Sequence, residues 1–266
     1  MKILLVTAHP DDEAIWGAAS LSSLALENLI EVNVICLWTA VEPPGSMSGT
    51  LDKKADYLRE FHFYNSIKVL GFSSSFICTS DYPNKTSEET LNHGFIDGLK
   101  AIGKNLEYFD VIITHSYYGD ERRHPHHVLI FNFLQKLLLE KNIGHSFYSF
   151  IPIKSLKYNP KLSGIRRAGN FHLIGEFDCL STSELKEGLK IFAKEKQIKM
   201  FICQGDLASK RKAIHEYTTI DLKKHDKDYG SFTTSTDFLY CDEISFEKFR
   251  ILFQGLEVPT LIADEM

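Results

Sequence analysis

An α/β fold, built on a mostly parallel sheet with helices on both faces, is predicted by three features of this sequence. Short, continuous apolar runs such as "KILLVTA" and "FDVIITHS" have the character of strands buried on both faces. Longer stretches with apolar residues at helical spacing alternate with them, the order that produces β-α-β units. The 266 residues are 44% hydrophobic and 24% charged, the profile of a globular chain large enough for a substantial core.

"KILLVTA" is the first expected strand and "EVNVICLWTA" the second, with "DEAIWGAASLSSLALENL" as the helix between them. "EPPGSMSGT" reads as a turn-rich loop, and "LDKKADYLREFHFYNSIKVLGF" as a helix closed by Gly71. "LNHGFIDGLKAIGKNL" is expected to be helical and "FDVIITHS" a strand. "PHHVLIFNFLQKLLLEKN" is an amphipathic helix with Pro125 in its first turn, where a missing N–H does no harm. A strand is expected in "HSFYSFIPI". Helices are expected in "STSELKEGLKIFAKEKQI", which opens on a capping-box-like Ser183, and in "LASKRKAIHEY". Residues 1–266 are expected to form one domain, with the pattern thinning from about residue 154 onward.

A net charge of -5 and a pI near 6.1, with no long run of Lys or Arg, argue against a nucleic-acid partner. Five scattered cysteines with no C-x-x-C pair fit reduced thiols in a cytoplasmic protein better than a disulfide framework. The opening run lacks the basic segment and cleavage site of a signal peptide, and no apolar stretch reaches the roughly 18 residues of a membrane span. No membrane partner is therefore expected, while a homo-oligomer is compatible with the composition. P-loop, dinucleotide and serine-hydrolase readings lack their motifs.

In sheets of this kind, ligands bind beyond the carboxyl ends of the strands. Two segments lie there: "AHPDDE" after the first strand and "THSYYGDERRHPHH" after "DVIIT". Taken singly, their residues have plainer explanations. Asp11, Asp12 and Glu13 suit a helix N-terminus, and a lone His9, His115 or His145 is more often packed or exposed than a ligand.

The combination points elsewhere. His9 and Asp12 stand at i and i+3 across a strand-to-helix turn, where both can bind one ion while Asp11 keeps a separate role. His124 and His127 repeat that spacing. If the two strand ends share a rim, one imidazole of this second pair completes a His-Asp-His site with an open position, the arrangement of catalytic zinc. Mixed nitrogen and oxygen donors favour Zn²⁺, and Fe²⁺ or Co²⁺ would also fit. Mg²⁺ at the paired acids is the chemical competitor, but it leaves the histidines without employment.

"AHPDDE" followed by "TH…GD…HPHH" resembles the LmbE/PIG-L zinc-dependent de-N-acetylases. "REFHFYNSIKVLGF" and "KRKAIHEYTT" extend the similarity over most of the chain. The resemblance implies a Rossmann-like three-layer sandwich and hydrolysis of an N-acetyl group on a small-molecule amino-sugar substrate of the N-acetylglucosamine type. It implies His9, Asp12 and His127 as metal ligands and Asp11 as the general base. It also implies that His124 stabilises the oxyanion or protonates the leaving amine. Arg59 and Asp81 match substrate contacts. Glu13, from its own position, reads as a helix-start residue with a structural role.

The chain departs from the family pattern twice. His126 stands where relatives carry an aspartate that orients the first histidine of the motif, which leaves Asp120 or another acid to partner His124. Arg122 stands where some relatives carry a tyrosine. A zinc amidohydrolase acting on a non-acetyl amide, or a metal- and sugar-binding protein without turnover, are the alternative readings.

Overall fold

The computed structural model describes residues 1–16, 18–37, 53–78, 87–115, 125–141, 146–152, 167–168, 171–172, 199–203, 207–218, 237–241 and 261–262. The expected loop "EPPGSMSGT" and the expected helix opened by Ser183 lie outside these residues. Five parallel strands form one part of the main sheet: β1 (Lys2–Thr7), β2 (Glu31–Cys36), β3 (Ser74–Ile77), β4 (Val111–His115) and β5 (Ser146–Pro152). A two-stranded ribbon, β6 (Arg167–Ala168) with β7 (Phe171–His172), stands separately. β8 (Lys199–Cys203), β9 (Asp237–Cys241) and β10 (Leu261–Ile262) add to the sheet in antiparallel fashion. The full order is β10-β8-β9-β5-β4-β1-β2-β3.

The helices are α1 (Asp12–Trp16), α2 (Ala18–Leu26), α3 (Lys53–Val69), α4 (Glu88–Ala101), α5 (Pro125–Glu140) and α6 (Leu207–Thr218). Side chains alternate between the faces of a strand, and β1 shows where each face leads. Ile3 and Leu5 pack with Ile15 of α1, Leu24 of α2, Phe63 of α3 and Ile214 of α6. Leu4 and Val6 pack on the other face with Phe95 of α4 and Leu134 of α5. Both sides of β1 are therefore apolar, which is why its sequence reads as an unbroken hydrophobic run. The result is three layers, as expected: helices, sheet, helices.

Helix ends follow local chemistry. Ser87 caps α4 by accepting the Thr90 N–H at 3.2 Å, and Glu88 and Glu89 occupy the first turn, so the helix starts ahead of Leu91. α3 closes on Gly71 as expected, with φ +71, Phe72 N–H bonded to the Ile67 carbonyl and Gly71 N–H to that of Lys68. This is the Schellman arrangement, and glycine supplies its left-handed residue without a Cβ clash.

Chain connectivity reverses direction at β1. The strands β2 and β3 extend to one side, and β4 and β5 to the other. The carboxyl ends of β1 and β4 therefore flank a switch point, the crevice where open α/β sheets bind ligands. β1 runs into "AHPDDE", β4 ends on His115, and the pairing of Leu5 with Ile113 keeps the two ends level.

Candidate metal centre

Beyond Thr7 the chain leaves the sheet, and Asp12, the first residue of α1, turns its carboxylate back toward the strand end. Its Oδ2 accepts the backbone N–H of His9 at 2.7 Å and that of Ala8 at 3.2 Å. Two backbone donors fix the carboxylate before any metal is considered. Burial pushes its pKa up, but the His127 and His115 imidazoles outweigh that, leaving it well below the ordinary carboxylate range.

His127, in the first turn of α5, comes to the same point from across the switch crevice. His9, Asp12 and His127 are all buried, and each offers a ligand atom within 4.8 Å of the others. His9 Nδ1 lies 3.3 Å from His127 Nε2 and 3.3 Å from Asp12 Oδ2, and His127 Nε2 lies 3.4 Å from Asp12 Oδ1. With Zn–N and Zn–O bonds of about 2.0–2.1 Å, neighbouring ligands of a tetrahedral ion stand about 3.3–3.4 Å apart. The His9–His127 separation matches that edge, Asp12 turns one oxygen toward each imidazole, and the mixed nitrogen and oxygen donors suit a small divalent cation.

Two further histidines surround the trio. His115, given no role by the sequence reading, ends β4 and stacks on His127 with ring centroids 3.8 Å apart and planes 4° from parallel. Its Nε2 lies 2.9 Å from the Ala8 backbone nitrogen and 3.2 Å from Asp12 Oδ2. Burial, reinforced by His127, lowers its pKa to about 4 and keeps it neutral at physiological pH. His126 contacts the trio from outside, with Nδ1 at 3.0 Å from His9 Nε2. His9 thus faces the ligand cluster with Nδ1 and His126 with Nε2. The sequence pairs His126 with His124, but His124 lies outside the described residues, as do Asp81, Asp120 and Arg122.

Asp11 is not one of the three clustered ligands. Its φ of +125 is rare for a residue with a side chain. Its N–H donates to Glu13 Oε2 at 3.1 Å, and its carbonyl accepts from Ala14 at 3.0 Å and Ile15 at 2.9 Å, which starts α1. Arg59 lies on α3. Among the described residues no hydrogen bond or ion pair joins it to the trio, and its Nη1 is buried without a hydrogen-bond partner.

Glu13 is fully buried and accepts a hydrogen bond from the Tyr217 hydroxyl of α6. Burial, the largest effect, raises its pKa from 4.5 to about 8 against the opposing hydrogen bond from Tyr217. A carboxyl raised on folding contributes stability that is complete below its unfolded pKa and is lost as pH climbs through the folded one. The Tm of metal-free wild type, measured relative to metal-free Glu13→Gln, is therefore expected to fall from about 4.5 toward about 8 on the pH scale. A pH-independent difference would show that the carboxyl does not titrate in that interval.

A family model described as PIG-L, GlcNAc-PI de-N-acetylase, matches residues 4–138, which is half of the chain and includes all three clustered ligands. The chain belongs to the PIG-L family. This PIG-L protein is 29% identical over 206 residues to the 1D-myo-inositol 2-acetamido-2-deoxy-alpha-D-glucopyranoside deacetylase of Corynebacterium diphtheriae, covering 69% of this chain and 68% of that one. Its fold is similar to that of a deacetylase triple mutant from the teicoplanin biosynthetic pathway, with a TM-score of 0.57, 10% identity, and coverage of 90% of this chain and 97% of that one. It is similar also to the A40926 pseudoaglycone deacetylase, with a TM-score of 0.52, 12% identity, and coverage of 90% and 96%. A zinc inhibited form of teicoplanin deacetylase matches with a TM-score of 0.52 at 14% identity, covering 90% of this chain and 97% of that one. The α/β fold is common to them, and the deacetylase family of the chain accords with the resemblance carried by "AHPDDE".

Proposed function

We propose that this protein is a zinc-dependent hydrolase that removes the N-acetyl group from an N-acetylglucosamine-type sugar or sugar conjugate. The observation that carries the reading is the buried His9, Asp12 and His127 trio, whose ligand atoms all lie within 4.8 Å of one another. The family description, and the amino-sugar substrate named for the Corynebacterium relative, support the choice of acyl group and sugar. The mixed donors of the trio favour zinc over magnesium, with Fe²⁺ or Co²⁺ as substitutes.

An amide is a poor electrophile. A bound metal would supply Lewis acidity, polarising the carbonyl and making water a better nucleophile near neutral pH. His9, Asp12 and His127 hold that ion. Asp11 takes the proton from the attacking water, and His124 offsets the charge that develops on the carbonyl oxygen. Proton transfer to the nitrogen then lets the C–N bond break, giving acetate and the free amino sugar. Arg59 and Asp81 contribute sugar contacts, and Asp120 and Arg122 shape the surroundings of His124.

The substrate is a water-soluble amino sugar in this reading. No helix among the described residues is long and apolar enough to cross a membrane, and Cys36 and Cys78 are buried thiols outside any disulfide. Both fit a cytoplasmic enzyme working as a single domain.

In this reading His9 binds the ion through Nδ1, so its Nε2 carries the proton and donates to His126 Nδ1, 3.0 Å away, which orients the ring. Loss of such an outer partner typically weakens metal binding by about 10–100-fold. Chelator competition on His126→Ala should show a loss of that size, and unchanged affinity would remove His126 from the metal site. Acetate release from a panel of N-acetylated sugars tests the function itself. Release only of longer acyl groups would move the activity to another amide, and binding without turnover would make the protein a sugar-binding module.

A further inference from the structure

Asp11, the base in the reading above, has its backbone held at φ +125. Such a conformation costs an L-residue about 1–3 kcal/mol and persists only where neighbouring groups determine it. Its carbonyl is fixed by the first N–H groups of α1. Its N–H is fixed by one oxygen of Glu13, and Glu13 is itself held from the far side of the chain. The Tyr217 hydroxyl donates to Oε1, leaving Oε2 facing the Asp11 N–H. Glu13 and Tyr217 are both buried, so water does not substitute readily for either partner.

Tyr217 lies in α6, outside residues 4–138 that the family model matches. α6 packs on α1, α2 and α3, and its Ala213, Ile214 and Tyr217 belong to the apolar cluster beneath the first motif. The segment "KRKAIHEYTT" thus acquires a physical role through a contact spanning 204 positions. The metal-binding trio has independent support, because Asp12 is held by the N–H groups of Ala8 and His9.

We propose that Tyr217 and Glu13 are positioning residues that set the Asp11 carboxylate for proton transfer without supporting metal binding. This rests on Asp11 acting as the base in the reading above. Removing the Tyr217 hydroxyl lets the Glu13 carboxyl turn, loosens the Asp11 peptide, and moves the base while the ligands stay in place.

The test is Tyr217→Phe in the full chain, loaded with zinc. Misplacing a reacting group by about 1 Å costs up to roughly 10²-fold, so kcat on the best substrate is expected to fall about 10–100-fold. KM and zinc affinity should change less than about threefold. In an Asp11→Asn background, the same substitution should cost nothing further, because residues acting as a unit are non-additive. Hydrogen exchange at the Asp11 amide, read without substrate, should speed up about tenfold or more while β1 amides keep their protection. Should Tyr217→Phe fail to fold, Glu13→Gln, with one acceptor oxygen in place of two, carries the same readouts.

Unchanged exchange at Asp11 overturns the proposal, as does unchanged kcat in a variant whose wild type is active. A fall in kcat that persists in full in the Asp11→Asn background also overturns it. If wild type hydrolyses no N-acyl sugar, the functional reading fails while the exchange measurement still decides the brace.

Discussion

Asp11→Asn is expected to lower kcat for acetate release by about 10²–10⁴-fold, the usual contribution of a positioned general base. The substitution keeps the size of the side chain. It also leaves the backbone demand at φ +125 unchanged, since asparagine and aspartate have the same shape up to the terminal atoms. The N–H to Glu13 and the carbonyl bonds to Ala14 and Ile15 involve only main-chain atoms of Asp11, so α1 should begin as before. What disappears is the capacity to take a proton. Bound metal should match wild type, because Asp11 is not one of the three clustered ligands. Retained kcat at full metal loading would assign the base to another residue.

His127→Ala is expected to abolish the activity by a different route. It deletes one of three protein ligands, so metal affinity should fall further than the roughly 10–100-fold caused by loss of an outer partner. Stability provides a readout that needs no substrate. A ligand that binds only the folded state stabilises it by about 4 kcal/mol at a thousandfold excess over Kd, so zinc should raise the Tm of wild type. It should raise that of Asp11→Asn equally and that of His127→Ala much less. Equal zinc-induced shifts in all three would mean that the ion binds elsewhere.

The two variants separate what the sequence made legible from what it did not. His9 and Asp12 could be paired from spacing alone, because a strand-to-helix turn brings i and i+3 together. A third imidazole needed the second motif and the assumption of a shared rim, which the level ends of β1 and β4 provide, and the choice of His127 over His124 needed the family resemblance. The first strands were legible because both of their faces are buried, which leaves continuous apolar runs. β3 was not, since "SSFI" begins with two serines and has only a short apolar end. β8, β9 and β10 were missed because they are short and pair antiparallel with segments far away in the chain.

The remainder of the site shows the same division. Glu13 reads locally as one more acid at a helix start, which is where it lies. Its burial and its bond to Tyr217 depend on α6 folding back over α1, and no local pattern encodes that contact. His126 reads as a substitution beside His124, whereas its described contact is to His9, in the other motif. The φ of Asp11 leaves no mark on composition, because the strain is imposed by its neighbours.

Metal dependence is the centre of this account, and the most direct measurement follows acetate release and bound metal together. Chelator-stripped protein, given an N-acetylglucosamine conjugate that wild type deacetylates, is titrated with zinc. Release is expected to be negligible before addition and to rise to a plateau at one ion per chain, and the rise is expected to be absent in His127→Ala. Full release by stripped protein, or none from protein carrying one zinc ion on His9, Asp12 and His127, would contradict metal dependence.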